Sequence, residues 1–115
     1  MTQSLETENW FIEHSISIEH GRLLYRLAPG GTAEIVDIMV TGEHRREGFG
    51  RAMFERLLRE LPDSVRTVYA FVRCGNGIAC DWYWALGFAD WPVPGFYGDD
   101  DGLVMVYKRL PEDGP

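Results

Sequence analysis

Arg45-Arg46-Glu47-Gly48-Phe49-Gly50 places two cations and two glycines where a strand-like run gives way to a helical one. A helix start presents unpaired backbone N–H groups and the positive end of its dipole, and glycine lets an anion approach that backbone closely. The spacing R-x-x-G-x-G therefore reads as a cradle for a phosphate-like anion. It is not the dinucleotide fingerprint, because Met53 stands where a third glycine would be, and the Lys-Ser/Thr pair of a P-loop is missing. For so short a motif the alternative is a tight loop-to-helix entry in which the glycines serve packing.

Charge favours a small anion over a long one. The 115 residues carry a net charge of −7, yet Arg45, Arg46, Arg51, Arg56 and Arg59 lie within fifteen residues that hold only two acids, Glu47 and Glu55. That island is +3 and the remainder −10. A phosphate backbone would be repelled by the whole, so no nucleic acid is expected as a partner, whereas a local basic patch suits a small anionic ligand. The competing reading is an exposed helix face with compensating pairs such as Glu55 with Arg59 at i,i+4. His14, His20 and His44 share no metal-ligand spacing with one another or with Cys74 and Cys80, so no metal is expected. Both cysteines read as ordinary reduced, buried thiols.

These groups need a scaffold, and one domain over residues 1–115 is the expectation from length. Ser15 to Glu19 and Arg22 to Leu27 read as a hairpin turning at His20-Gly21, and Ala33 to Val40 as a strand. From Gly48 to Leu61 the period changes: Phe49, Met53, Leu57 and Leu61 repeat every four residues, with Ala52, Phe54 and Leu58 widening the stripe, and Pro62 ends the helix. Thr67 to Val72 is a strand, Ala79 to Leu86 a short helix closed by Gly87, Phe88 to Trp91 a short strand and Leu103 to Lys108 a last one. Residues 1–7 and 110–115 are expected to be flexible tails. No apolar run approaches the length of a membrane span, and the polar, acidic start lacks a secretory pattern, which points to the cytoplasm.

Arg45-x-x-Gly48-x-Gly50 after the strand that ends at Val40 resembles the acyl-CoA-binding motif of the GCN5-related N-acetyltransferase (GNAT) superfamily. Asn76-x-x-Ala79-x-x-Trp82-Tyr83-x-x-Leu86-Gly87-Phe88 is similar to that family's second motif, with Trp82 where phenylalanine is more usual. The resemblance extends over about Glu34 to Lys108. It implies an α/β (α+β) fold with a mixed, twisted sheet whose central strands, here Glu34 to Val40 and Thr67 to Val72, splay apart around acetyl-CoA.

By the same resemblance, the pyrophosphate would lie on the backbone N–H groups of Arg46, Gly48 and Gly50, with Arg45 and Arg51 nearby. The pantetheine arm would pair with the backbone of Ile38 and Val40, and Asn76 would bind one of its polar groups; Met39, Glu47, Phe49 and Ala79 complete the expected contacts. Tyr83 matches the tyrosine that protonates the coenzyme A sulfur; the alternative is a packing residue among Trp82, Trp84, Phe88 and Trp91. Glu34 matches the catalytic glutamate of histone-type members, either as the base itself or acting through water. An exposed strand-end carboxylate is the plain alternative. Asp37 is a weaker base candidate, because strand alternation should put it on the face opposite Glu34.

The implied activity is transfer of an acetyl group from acetyl-CoA to a primary amine by direct attack in a ternary complex. The rival is a catalytically weak module that binds acyl-CoA or a partner protein. Only about fourteen residues precede the first hairpin, where family members usually have a strand and two helices that wall the acceptor site. That departure would leave the site open to a peptide or protein, or let a homodimer partner complete it. Asp99-Asp100-Asp101, before the last strand, would draw a cationic peptide, protein or polyamine; a solvated acidic turn explains them too.

Overall fold

In a computed structural model, residues 12–42, 48–96, 98 and 101–109 are described. They fall into two compact units that divide between Val65 and Arg66.

The first unit is a three-stranded antiparallel sheet with one helix against it. Strands β1 (Glu13–Ile18), β2 (Gly21–Ala28) and β3 (Thr32–Val40) follow one another in space as in sequence. The β1–β2 turn occupies Glu19-His20, with His20 in the left-handed region at φ 72° and its carbonyl accepting from the Thr41 N–H at 2.9 Å. The β2–β3 turn uses Gly31, at φ 71°, where a Cβ would stand 2.8 Å from the Ser64 carbonyl oxygen. Only glycine satisfies both the backbone angle and that approach.

Alternation gives the sheet one apolar face. Ile16, Leu23, Tyr25, Ala33 and Ile35 are buried, and helix α1 (Phe49–Glu60) turns Met53, Phe54 and Leu57 toward strands β1 to β3. The four-residue stripe thus forms the expected contact, extended by Leu61, except that Ala52 is exposed. At its C-terminal end the Leu61 N–H bonds to the Leu57 carbonyl before Pro62 stops the ladder. Tyr25 on the sheet lies close enough to Glu60 on the helix for that carboxylate to act on its phenol, and Glu60 also pairs with Arg56 at 2.8 Å.

One irregularity breaks the alternation. Tyr25 pairs with Ile35 but Leu24 with Asp37, so Val36 is an extra residue in β3, a β-bulge. Because partners across an antiparallel pair share a face, the two sides can be read from the register. Glu34 opposite Arg26, Asp37 opposite Leu24 and Met39 opposite Arg22 lie on the face away from α1, while Ile35, Ile38 and Val40 lie on the α1 face. Strict period-two alternation put Asp37 opposite Glu34. The bulge reverses that expectation and puts both acids on one face.

In the second unit, β4 (Thr67–Arg73), β6 (Gly102–Lys108) and β5 (Ala89–Val93) pair antiparallel in that spatial order, with α2 (Gly77–Ala85) between β4 and β5 in sequence. Val68, Ala70, Val72, Leu86, Phe88, Leu103 and Met105 are its buried apolar residues, with Cys80 and Tyr83 from α2. Trp84 and Trp91 were expected in this core but are exposed; the Trp84 indole N–H instead donates to Asp90 at 3.1 Å. Cys74, expected buried, is exposed at the end of β4, whereas Cys80 is buried; neither is in a disulfide. Pro92, which lacks an N–H, is accommodated in β5 because that strand pairs with β6 alone within the unit. Six strands and, among the described residues, two helices make the α/β content that the motifs imply.

Candidate active site

Each unit carries one of the two motifs. In the first, β3 runs toward the segment that leads to α1. The cradle residues Arg45, Arg46 and Glu47 lie outside the described residues, so the site is built from what flanks them. Gly48 is the N-cap of α1 in the left-handed region at φ 87°, and no side chain caps the helix. No acidic residue occupies the first turn, so the positive end of the helix dipole is not offset there. Gly50 is buried, Phe49 is half-buried and in ring contact with His20 at 5.4 Å, and Arg51 is exposed. Among the described residues a Cβ at Gly48 would meet nothing within 4 Å, and the left-handed backbone angle is what favours glycine there.

On β3, Ile38 and Val40 are half-buried on the α1 face, and Met39 is exposed on the other, above an open depression of about 270 Å³ lined by His20, Gly21, Arg22, Met39 and Thr41. Glu34 is nearly covered: its side chain is 13 % exposed, and its Oε1 accepts from both Nε and Nη2 of Arg26, each at 2.9 Å. This cross-strand pair fixes the carboxylate in place, since a guanidinium donating twice to one oxygen restricts rotation as well as supplying charge. The charged face of the sheet also carries Glu13, Arg22 and Asp37, all three exposed. Sequence reasoning missed the Arg26 partner. Its signal was only an arginine at the matching position of the preceding strand, visible once the register is known.

In the second unit, Asn76 is the N-cap of α2 and its Oδ1 accepts from the Ala79 N–H at 3.1 Å. The spacing Asn76-x-x-Ala79 thus has a structural meaning of its own, a capping bond that starts the helix. The Asn76 side chain is exposed, and an amide carries N–H donors besides that oxygen. Tyr83 is buried at 4 % exposure, with its ring edge-on to Trp82 (4.6 Å) and to Phe88 (5.0 Å). The α2 terminus holds it firmly, because the N–H groups of Leu86 and Phe88 both bond to the Tyr83 carbonyl. Gly87, at φ 99°, lets the chain reverse there. Asp99 and Asp100 lie outside the described residues, as do the tails expected to be flexible; Asp101 accepts from the Gly95 N–H at 2.8 Å through its side chain. Among the described residues no group of three His, Cys, Asp or Glu gathers as a metal set. No helix of the described residues is long and apolar enough to cross a membrane.

Known proteins share both the sequence pattern and the fold. The model of the acetyltransferase (GNAT) family matches residues 11–88. The [ribosomal protein bS18]-alanine N-acetyltransferase of Escherichia coli K12 is 33% identical over 80 residues, covering 64% of this chain and 54% of that protein. The chain thus spans about half the length of the curated relatives it matches. Among solved structures, the E. coli ribosomal-protein-S18-alanine N-acetyltransferase superposes with a TM-score of 0.69 at 20% identity, over 100% of this chain and 81% of that one. Ard1 from Thermoplasma volcanium gives 0.68 at 24% identity, over 79% and 64%. The PaiA N-acetyltransferase from Thermoplasma acidophilum, solved with coenzyme A, gives 0.66 at 16% identity, over 76% and 52%. The fold is therefore the GNAT-like α/β fold that the two motifs imply, and the chain belongs to the acetyltransferase (GNAT) family.

Proposed function

We propose that the protein is an N-acetyltransferase that moves an acetyl group from acetyl-CoA to a primary amine within a ternary complex. The observation that carries this reading is the start of α1: a helix N-terminus that no side chain of the described residues caps, headed by a left-handed Gly48, with no acid in its first turn. Such a terminus suits a pyrophosphate; Arg51 in its first turn adds charge, and Arg45 and Arg46 precede it in sequence. Coenzyme A in the PaiA complex and the amine-acetylating names of the relatives support the same ligand and reaction class.

The chemistry then distributes over named groups. The backbone of β3 at Ile38 and Val40 pairs with the pantetheine arm as an added strand, and an N–H in that stretch polarises the thioester carbonyl. The acceptor amine must be neutral to attack, and Glu34, held by Arg26, takes its proton directly or through water. As the tetrahedral intermediate collapses, the C–S bond breaks and the Tyr83 hydroxyl gives its proton to the departing thiolate. The acceptor is a peptide or protein amine, in keeping with the ribosomal-protein acetyltransferase among the relatives.

Calorimetric titration with acetyl-CoA, followed by mass spectrometry of alanine-initiated and lysine-containing peptides incubated with the loaded protein, tests the reading. Saturable binding and a single +42 Da product (one acetyl for one hydrogen, about 42 Da by composition) are expected. Binding without any product would favour the module that only binds acyl-CoA.

A further inference from the structure

The bulge at Val36 does more than interrupt the β2–β3 ladder. It rotates Asp37 onto the face that carries Glu34, and there Asp37 pairs across the ladder not with a charge but with Leu24. The Glu34 carboxylate is engaged by Arg26, so the two charges of that row offset each other. Asp37 is exposed, and among the described residues no hydrogen bond or ion pair engages its carboxylate. Half-buried Leu24 stands across the ladder, Val36 and Met39 are beside it on β3, 38% and 53% exposed, and Arg22 and Arg26, on either side of Leu24, lie diagonal to it on the same face. Among the described residues of strands β1 to β3, the other charge on this face is Glu13, opposite Arg26 on β1.

We propose that Asp37 receives the cationic amine of the acceptor, an N-terminal ammonium whose own side chain is apolar. An ionised carboxylate is an acceptor-only group that satisfies an ammonium with charge-assisted bonds. Leu24, Val36 and Met39 offer apolar surface on either side of it, which suits a first residue with an aliphatic side chain better than a second charge. Glu34, on the same face and one ladder step away, is then placed to take the proton that the bound ammonium must lose. Asp37 anchors the acceptor and Glu34 handles its proton, so the two acids have different tasks. This assignment rests on the acetyltransferase reading, which makes the Glu34 face the acceptor face.

The test is a binding cycle that needs no turnover. Protein saturated with coenzyme A is titrated with an alanine-initiated peptide and with the same peptide N-acetylated, which lacks the ammonium. Asp37→Asn should weaken the free-amine peptide about tenfold and leave the blocked peptide unchanged, and Asp37→Glu should restore the free-amine affinity to within about threefold. In turnover the loss should fall on KM, with kcat within about twofold. Equal effects on both peptides, or none on either, would overturn the anchor while leaving the acetyltransferase reading intact, provided acetyl-CoA still binds. Failure of acetyl-CoA to bind the wild type would overturn that reading and the anchor with it.

Discussion

His14 stacks on Tyr25 across β1 and β2, with ring centroids 5.1 Å apart and planes 25° from parallel, while its buried Nε2 has no hydrogen-bond partner among the described residues. A buried polar atom left unpaired costs about 1–3 kcal/mol. Phenylalanine keeps the stacked ring and removes the atom. His14→Phe is therefore expected to stabilise the protein by about 1 kcal/mol, raising Tm by roughly 4 °C in a thermal melt. A lower Tm would mean that Nε2 is bonded by a residue outside those described.

The partner ring sets an alkaline limit. Burial first, then the charge of Glu60 and the hydrogen bond to it, push the Tyr25 phenol above its ordinary value of 10.0. The folded state thus favours the neutral phenol, whereas the unfolded chain ionises near pH 10. Its contribution to stability is complete below that pH and is lost as pH rises from there through the folded value. Between pH 9 and 11, Tm should fall more steeply in the wild type than in Tyr25→Phe, and identical slopes would refute the link.

The two thiols should react at different rates. Burial, followed by the charges of Cys74, Asp81 and Asp90, raises the Cys80 thiol above its usual range, and Cys74 is exposed. Since the thiolate is the reactive form, titration with a disulfide reagent at pH 8 should show one fast and one slow phase of equal amplitude. Cys74→Ser is expected to abolish the fast phase only.

Tyr83→Phe separates proton donation from packing. The ring contacts with Trp82 and Phe88 survive the substitution, so the fold and acetyl-CoA affinity should be retained. Loss of a general acid costs about 10²–10⁴-fold in rate. A variant with wild-type turnover on a verified acceptor would leave Tyr83 as a core aromatic and nothing more.

Gly48→Asp sets helix capping against ligand binding. Aspartate tolerates the left-handed region better than most residues and its charge suits a helix N-terminus, so the folded state should survive at a cost of about 1–2 kcal/mol. The same charge would face the pyrophosphate, and acetyl-CoA affinity should fall at least about tenfold by calorimetry. Unchanged affinity in the folded variant would displace the pyrophosphate from this helix start. Gly48 is the better position for this experiment than Gly50, which is buried, so that a charge there would damage the fold as well.

Much of the scaffold was legible because periodicity and punctuation agree locally. The hairpin turn, the four-residue stripe of α1 and the Pro62 stop each follow from a few adjacent residues, and the observed elements begin and end within about two residues of the expected ones. Asn76 and Ala79 were visible as a motif spacing, but that Asn76 caps α2, whose first residue Gly77 lies two before the expected helix start, was not. The bulge was not visible, since Val36 and Met39 are apolar on the exposed side and hide the three-residue step between Ile35 and Ile38 that marks it. The Arg26–Glu34 pair was hidden for a related reason: cross-strand partners depend on register, which the hairpin loops determine and composition does not. The exposed Trp84 and Trp91 show that an aromatic cluster in sequence need not be one in space, because α2 and β5 turn successive residues in different directions.

The extra residue in β3 also works as a spacer that can be lost without changing what the strand buries. Deleting Val36 would leave Ile35 opposite Tyr25 and Asp37 opposite Leu24 as neighbours in one uninterrupted alternation, so every side chain from Ala33 to Val40 would keep its face. What the deletion removes is the local bend and added twist of a bulged strand, and with them the direction in which Ile38 and Val40 lead toward the segment before Gly48. Among homologous chains, loss of the residue at this position should therefore leave the apolar pattern of β3 intact, whereas a length change elsewhere in β3 would reverse the faces of every residue on one side of it.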